Sequence, residues 1–206
     1  MNKSVSLKKI RSSFVKQLDS ADCGVACLLS IIQYFGGFTP LENLREISGT
    51  TRQGTTLLGL YQAAVKTGMI AQGLEGTIDD LKGLDKPCIL HVYIDNTFLH
   101  YLVCYGFDGK HFIVGDPSHK VEKCPPEKLL KIWKSKSLLL LFPNESFKKS
   151  NKENLTRNRW TIHLLKSDIS LLVIVGILGV IISVLGLAQT VFSQQLIDKI
   201  IPGENK

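Results

Sequence analysis

No charged residue stands between Asp168 and Asp198. A helix of a soluble domain carries charge on its solvent face, so this run reads as a membrane span, longer than the ~20 apolar residues that cross a bilayer. Cysteine pairing is also lacking. The count is five, an odd number, and Met1–Lys16 is basic without the apolar core of a secretory signal. Reduced thiols in a reducing compartment follow, and a disulfide scaffold is excluded. Cys23 and Cys27 stand one helical turn apart, but no further Cys or His lies nearby at zinc-ligand spacing, so no metal is expected. The chain has no Gly-x-x-x-x-Gly-Lys-Ser/Thr loop, which removes P-loop binding of ATP and leaves no expected cofactor. The net charge of +7 does not form a nucleic-acid-binding stripe. Much of it gathers at Lys148, Lys149, Lys152, Arg157, Arg159 and Lys166, just before the uncharged run, as in a membrane-proximal cytoplasmic stretch.

What is present centres on Cys23. It lies in Gln17-Leu18-Asp19-Ser20-Ala21-Asp22-Cys23-Gly24-Val25-Ala26-Cys27, which runs into an apolar helix. A thiol there faces the partly positive end of the helix dipole and unpaired backbone N–H groups, and both favour the nucleophilic thiolate. His100 heads Leu99-His100-Tyr101-Leu102-Val103-Cys104-Tyr105-Gly106, and Asp116 closes Phe112-Ile113-Val114-Gly115-Asp116-Pro117. Cysteine, then histidine, then aspartate, each at the edge of a regular element, is the order of a papain-like cysteine peptidase.

Density of Val25, Ala26, Leu28, Leu29, Ile31 and Ile32 predicts a buried helix from Cys23 to about Tyr34, stopped by Gly36-Gly37. Further helices are expected at Leu41–Ile47 and Leu57–Thr67, the latter capped by Thr55-Thr56, with a short one at Ile78–Leu81. The period then changes. Cys88–Ile94, Leu99–Phe107, His111–Asp116 and Leu138–Phe142 read as strands, with a helix at Pro126–Trp133 and turns at Asp95-Asn96-Thr97, Asp108-Gly109-Lys110 and Pro117-Ser118. Asp108-Gly109 makes the His and Asp strands an antiparallel hairpin, which brings His100 and Asp116 to one end of the sheet. Residues 1–15 read as a basic lead-in with room for a short strand. Helices followed by an antiparallel sheet make an α+β domain over residues 1–143. Residues 144–167 read as a basic linker and an amphipathic helix at Leu155–Lys166 lying on a membrane surface. Residues 168–206 hold the span, whose Gly176, Gly179, Ser183 and Gly186 suit helix packing, and the start of an outer loop. The basic flank keeps the N-terminal domain on the cytoplasmic side.

The segment from Gln17 to Gly36 resembles the cysteine box of the bacteriocin-processing, double-glycine leader peptidases, the N-terminal domain of peptidase-containing ABC exporters. The likeness rests on the Gln six residues before the Cys, the Asp22-Cys23-Gly24 core and the Tyr34-Phe35-Gly36 exit. It extends to the His100 and Asp116-Pro117 boxes, and Gln195-Leu196-Ile197-Asp198-Lys199-Ile200-Ile201-Pro202 resembles the end of an exporter's first transmembrane helix. The resemblance implies a papain-like fold, Cys23 as nucleophile, His100 as base, Asp116 as its orienting acid and Gln17 as an oxyanion donor beside the Cys23 N–H. It implies a leader peptide cut after Gly-Gly, a bacterial cytoplasmic-membrane location, the remaining exporter and ATPase parts as partners absent from this sequence, and a homodimer. A truncated gene product, a fragment and one subunit of a split system all remain open.

Other readings compete. A silent module that only binds leaders would lack the nucleophile, and an accessory piece of the exporter would act through its membrane segment. Asp22 reads as a helix-start charge. Cys27, Cys88 and Cys104 read as small core residues, and Cys124 as a strand-end thiol. His91, His111, His119 and His163 are taken as non-catalytic, His91 being the closest imitation because it also sits in an apolar strand.

Overall fold

The computed structural model describes residues 6–94, 98–149 and 169–199. The expected turn at Asp95-Asn96-Thr97 and the expected surface helix at Leu155–Lys166 lie outside them. The chain divides into two compact units, Met1–Ser150 and Asn151–Lys206.

The first unit begins with helices: α1 (Leu7–Ser13), a single 3-10 turn at Ser20–Asp22, α2 (Cys23–Tyr34), α3 (Leu41–Ser48) and α4 (Leu57–Lys66). In α2 every residue from Cys23 to Ile32 is buried, so the helix has no solvent face along that length. It stops where Gly36 takes φ +88°, with the Phe35, Gly36 and Gly37 N–H groups donating back to carbonyls of the last turn. The Thr56 hydroxyl caps α4 by accepting from the Gly59 N–H at 3.0 Å. Gly59 also lets α3 and α4 touch, because a Cβ there would sit 2.2 Å from the Ser48 carbonyl oxygen.

The strands are β1 (Met69–Glu75), β2 (Cys88–Ile94), β3 (Phe98–Phe107), β4 (Phe112–Gly115), β5 (Val121–Cys124) and β6 (Ser137–Pro143), with α5 (Ile78–Gly83) and α6 (Pro126–Ile132) between them. They form one sheet in the order β1-β6-β2-β3-β4-β5, antiparallel at every pairing. Side-chain alternation splits the core between the two faces. Tyr101, Val103, Tyr105, Ile89, Ile113 and Leu139 meet the residues of α1 to α4, while Leu102, Cys104, Leu90, Val114 and Leu138 meet Leu81, Leu129 and Trp133. The domain is thus an α+β fold with its larger helical layer on one side.

Three elements differ from expectation. The lead-in is a helix, α1, in which only Ile10 and Ser13 are buried, three residues apart on one face, while its basic residues stay exposed. Strands β1 and β5 were not foreseen. Both are edge strands with little burial, and β5 reads Val-Glu-Lys-Cys, so neither needs the apolar content that marks an inner strand.

The second unit contributes α7 (Ile169–Lys199). Its stretch Val173–Gln195 is long and apolar enough to cross a membrane. The Ser183 and Thr190 hydroxyls donate to the Gly179 and Gly186 carbonyls one turn back, at 2.8 and 3.0 Å, so these polar groups are satisfied within the helix.

The α3–α4 contact yields a stability prediction. Gly59→Ala forces backbone apart and is expected to cost about 3 kcal/mol, whereas Gly73→Ala, with nothing within 4 Å of the added methyl, changes stability by less than about 0.5 kcal/mol. Denaturant unfolding followed by tryptophan fluorescence checks both.

Candidate active site

Cys23 is the first residue of α2 and is only 6% exposed. A short self-capped turn leads into it. The Asp19 carboxylate accepts from the Ser20 N–H at 2.6 Å, and the Asp22 carboxylate accepts from the Asp19 N–H at 3.0 Å. Asp22 is itself buried and takes two parallel bonds from Arg45 of α3, Nε at 2.8 Å and Nη2 at 2.5 Å. Burial alone raises the Asp22 pKa, but the guanidinium and the backbone donor outweigh it and hold the carboxyl below its usual range. The helix-start charge expected at Asp22 is therefore a clamp between two helices. After the thiol, Gly24 leaves room for Leu60 and Tyr101, whose side-chain atoms would lie 3.1–3.2 Å from a Cβ there.

His100 lies near the start of β3 and is buried; Asp116 follows directly after β4. The hairpin read from Asp108-Gly109 is present, with Gly115 opposite Val103 and Asp108 donating its N–H to the His111 carbonyl at 2.9 Å. It brings His100 Nε2 within 2.9 Å of Asp116 Oδ1. Burial pushes the His100 pKa down, yet the bond to Asp116 and the neighbouring Cys23 thiol prevail and raise it to about 9. Burial likewise pushes Asp116 up, and hydrogen bonds from His100 and Ser118 bring it well below the usual carboxylate range. With Nε2 occupied by Asp116, Nδ1 is the ring nitrogen left for the thiol.

Gln17 arrives on a segment pinned at three points. The Val15 N–H donates to the Ser30 hydroxyl of α2 at 2.9 Å, and that hydroxyl donates to the Ala26 carbonyl at 2.8 Å. The Phe14 ring rests on Gly115, where a Cβ would meet it at 2.9 Å. The Gln17 N–H donates to the Pro117 carbonyl at 3.0 Å, one residue from Asp116. Gln17 Oε1 is buried with no hydrogen-bond partner among the described residues. That oxygen can only accept, so the oxyanion donor expected of Gln17 is its NH2 group, a different atom of the same amide.

The remaining thiols and imidazoles divide as follows. Cys27 is fully buried, and burial beside Cys23 raises its pKa far up, as suits an inert core thiol. Cys88 and Cys104 face each other across β2 and β3 in the opposite core. His91 is half-buried in β2, its pKa lowered by burial, and stacks near Tyr93 and Tyr101. His163 lies outside the described residues. Arg45, Ser30 and Ser118 went unread in the sequence because their roles depend on contacts distant along the chain or on a turn's closure. His119, set aside there, touches Asp116.

A buried cysteine opening a core helix, facing a sheet-borne histidine whose far nitrogen meets a carboxylate, defines the class of α+β cysteine peptidase domains. The chain belongs to the Peptidase C39 family, which matches residues 11–146. It is 31% identical over 205 residues to the mesentericin-Y105 transport/processing ATP-binding protein MesD of Leuconostoc mesenteroides. It is 30% identical over 192 residues to the transport/processing ATP-binding protein ComA of Streptococcus pneumoniae. These alignments take in 97% and 91% of this chain but 28% and 26% of the relatives, so the chain spans about a quarter of their length. Among solved structures, the peptidase domain of Streptococcus ComA, a bi-functional ABC transporter, superposes with TM-score 0.58 at 36% identity, covering 63% of this chain and 97% of that one. A double-glycine-motif protease from an AMS/PCAT transporter, solved with its leader peptide, gives TM-score 0.57 at 30% identity, covering 63% and 90%.

The Asp22–Arg45 pair sets a pH-dependent stability. Because the Asp22 pKa is lowered on folding, its contribution is present above the unfolded carboxylate value, ~3.9, and is lost as pH falls below it. Arg45→Ala is expected to cost about 2 kcal/mol near neutrality, below the usual loss for a buried pair because the Arg45 side chain is 34% exposed. The gap between parent and variant narrows below about pH 4, where a protonated Asp22 no longer needs the guanidinium. Denaturant unfolding across pH 3–8 reads this.

Proposed function

We propose that this chain is a cysteine endopeptidase that cuts the leader of a bacteriocin-like or other small secreted peptide after a Gly-Gly pair, in step with export by an ABC transporter. The observation that carries the reading is the His100 imidazole, bonded to Asp116 at 2.9 Å, with its proton affinity raised despite burial by that carboxylate and by the neighbouring Cys23 thiol.

In this mechanism His100 takes the thiol proton, and the Cys23 thiolate adds to the carbonyl of the second glycine. Asp116 holds the ring and stabilises the imidazolium. The Cys23 N–H and the Gln17 amide donate to the tetrahedral oxyanion, each such donor being worth about 2.7–4 kcal/mol of barrier. Collapse returns the proton from His100 to the leaving amine and leaves a thioester on Cys23. Water, deprotonated by His100, then hydrolyses the thioester and restores the thiol. Glycine at the cut positions offers no Cβ to a narrow channel over the thiol and extends at no steric cost. Helix α4 exposes Leu58, Tyr61 and Val65 on one stripe, which suits the apolar face of a helical leader. The basic residues Lys148, Lys149, Lys152, Arg157, Arg159 and Lys166 precede α7 and support a cytoplasmic peptidase unit tethered by a single span.

The test uses the full chain in detergent with a reducing agent and a synthetic Gly-Gly leader peptide, with products located by mass spectrometry. Cleavage after the second glycine is expected, abolished in Cys23→Ala and lowered in kcat by roughly 10²–10⁴ in Asp116→Asn. Activity persists while His100 keeps its proton and falls as pH rises through about 9. In Asp116→Asn that alkaline limb moves to lower pH, because the charge favouring the imidazolium is gone. Binding without cleavage would favour the silent leader-binding module, and no binding to any such leader would sink the substrate assignment.

A further inference from the structure

Asp116 makes more contacts than its bond to His100 requires. Its Oδ1 accepts from His100 Nε2 at 2.9 Å, from the Ser118 N–H at 2.9 Å and from the Ser118 hydroxyl at 2.7 Å. The Ser118 oxygen also lies 2.6 Å from His119 Nδ1, and that nitrogen is 3.3 Å from Asp116 Oδ2. The direction of this chain follows from proton counting. An ionised carboxylate only accepts, and a serine hydroxyl has a single proton. That proton goes to Asp116, so the serine oxygen accepts from His119, which carries its proton on Nδ1. The run is His119 Nδ1–H to Ser118 O–H to Asp116, with His100 arriving on the same carboxylate from the other side.

We propose that Ser118 and His119 are positioning residues for Asp116 in the peptidase reaction, a role that rests on the function proposed above. Asp116 lies one residue beyond the end of β4, and its side chain is 22% exposed, so the strand alone does not hold the carboxylate toward His100. The turn does. The His119 N–H donates to the Asp116 carbonyl at 2.9 Å and the Asp116 N–H to the Lys120 carbonyl at 3.1 Å, which folds Ser118 and His119 back over the carboxylate. Pro117 fixes φ within this turn, and its carbonyl receives the Gln17 N–H at 3.0 Å. One turn therefore sets the acid that orients the base and the segment that brings the oxyanion donor. The His119 side chain is 76% exposed and supports no core, so a kinetic effect of removing it is not packing damage.

The test measures steady-state cleavage of the Gly-Gly peptide by the full chain, with iodoacetamide alkylation of Cys23 resolved by peptide mapping from Cys27, Cys88, Cys104 and Cys124. Ser118→Ala is expected to lower kcat roughly tenfold at unchanged KM, the worth of one hydrogen bond to a charged group, and Ser118→Thr to restore it. His119→Ala loses less, roughly threefold, and His119→Asn recovers because its amide N–H can stand near the place of Nδ1–H. Alkylation of Cys23 slows in the same order, and the unfolding midpoint of His119→Ala stays at the parent value. Unchanged kcat and alkylation in both alanine variants would overturn the proposal. So would a raised KM at unchanged kcat, which would make these side chains substrate contacts. If the parent cuts no Gly-Gly peptide, the peptidase reading fails on its own. The alkylation series then decides the positioning role, since it reads the Cys23–His100–Asp116 alignment without substrate.

Discussion

The burial of α2 against the sheet is the constraint from which the site follows. From Cys23 to Ile32 the helix has no exposed residue, so it must sit between the other helices and β3. A helix so placed has only its ends near solvent, and the one polar side chain inside that stretch, Ser30, is satisfied locally by Ala26 and by the Val15 N–H. The first residue of α2 is thereby delivered to the edge of the core, directly after the Ser20–Asp22 turn. A cysteine at that position meets whatever the sheet presents there, and the sheet presents His100.

The site is assembled from local closures bridged by a few long-range contacts. The Asp19–Asp22 turn closes on itself before Cys23, and Arg45 ties it to α3. The Asp108–His111 hairpin sets β3 against β4, and the Asp116–Lys120 turn closes after β4. Between these units run the His100–Asp116 bond, the Gln17–Pro117 bond and the Val15–Ser30 bond. Geometry within each unit is fixed by short loops with low closure entropy, so the few connecting bonds need supply only relative placement. This division explains why the acidic residues next to the thiol and beside the imidazole are not interchangeable. Asp22 is spent on a guanidinium, while Asp116 offers Oδ1 to His100 as well as to Ser118.

Much of this was legible because it rests on local signals. The unbroken apolar run announces α2, Asp108-Gly109 announces the hairpin, and the hairpin in turn predicts that His100 and Asp116 share an end of the sheet. The unread parts are those with no local signature. Strand β5 carries charge on two of its four residues because it borders the sheet, and α1 buries only Ile10 and Ser13. Arg45 on α3 looks like any surface cation until Asp22 is found beneath it. His119 was set aside because it lacks the sequence context of His100, a criterion that cannot register its contact with Asp116 across a turn.

The electrostatics give these contacts an order of dependence. A histidine taken out of water prefers to be neutral, and a neutral His100 would leave the Cys23 thiol without an imidazolium partner. What reverses that preference is first the carboxylate at Nε2, with the Cys23 sulfur adding to it, and the carboxylate's charge exists only while Asp116 is ionised. Asp116 is itself partly buried and would drift upward without donors. His100 is one donor, but a carboxylate held by His100 alone would rise and fall with the very proton it is meant to stabilise. Ser118 supplies donors whose state does not change with pH, so they keep Asp116 ionised independently of His100. The proton affinity of the imidazole near the thiol is thus anchored two residues beyond the acid, in a turn that also holds the Gln17 segment.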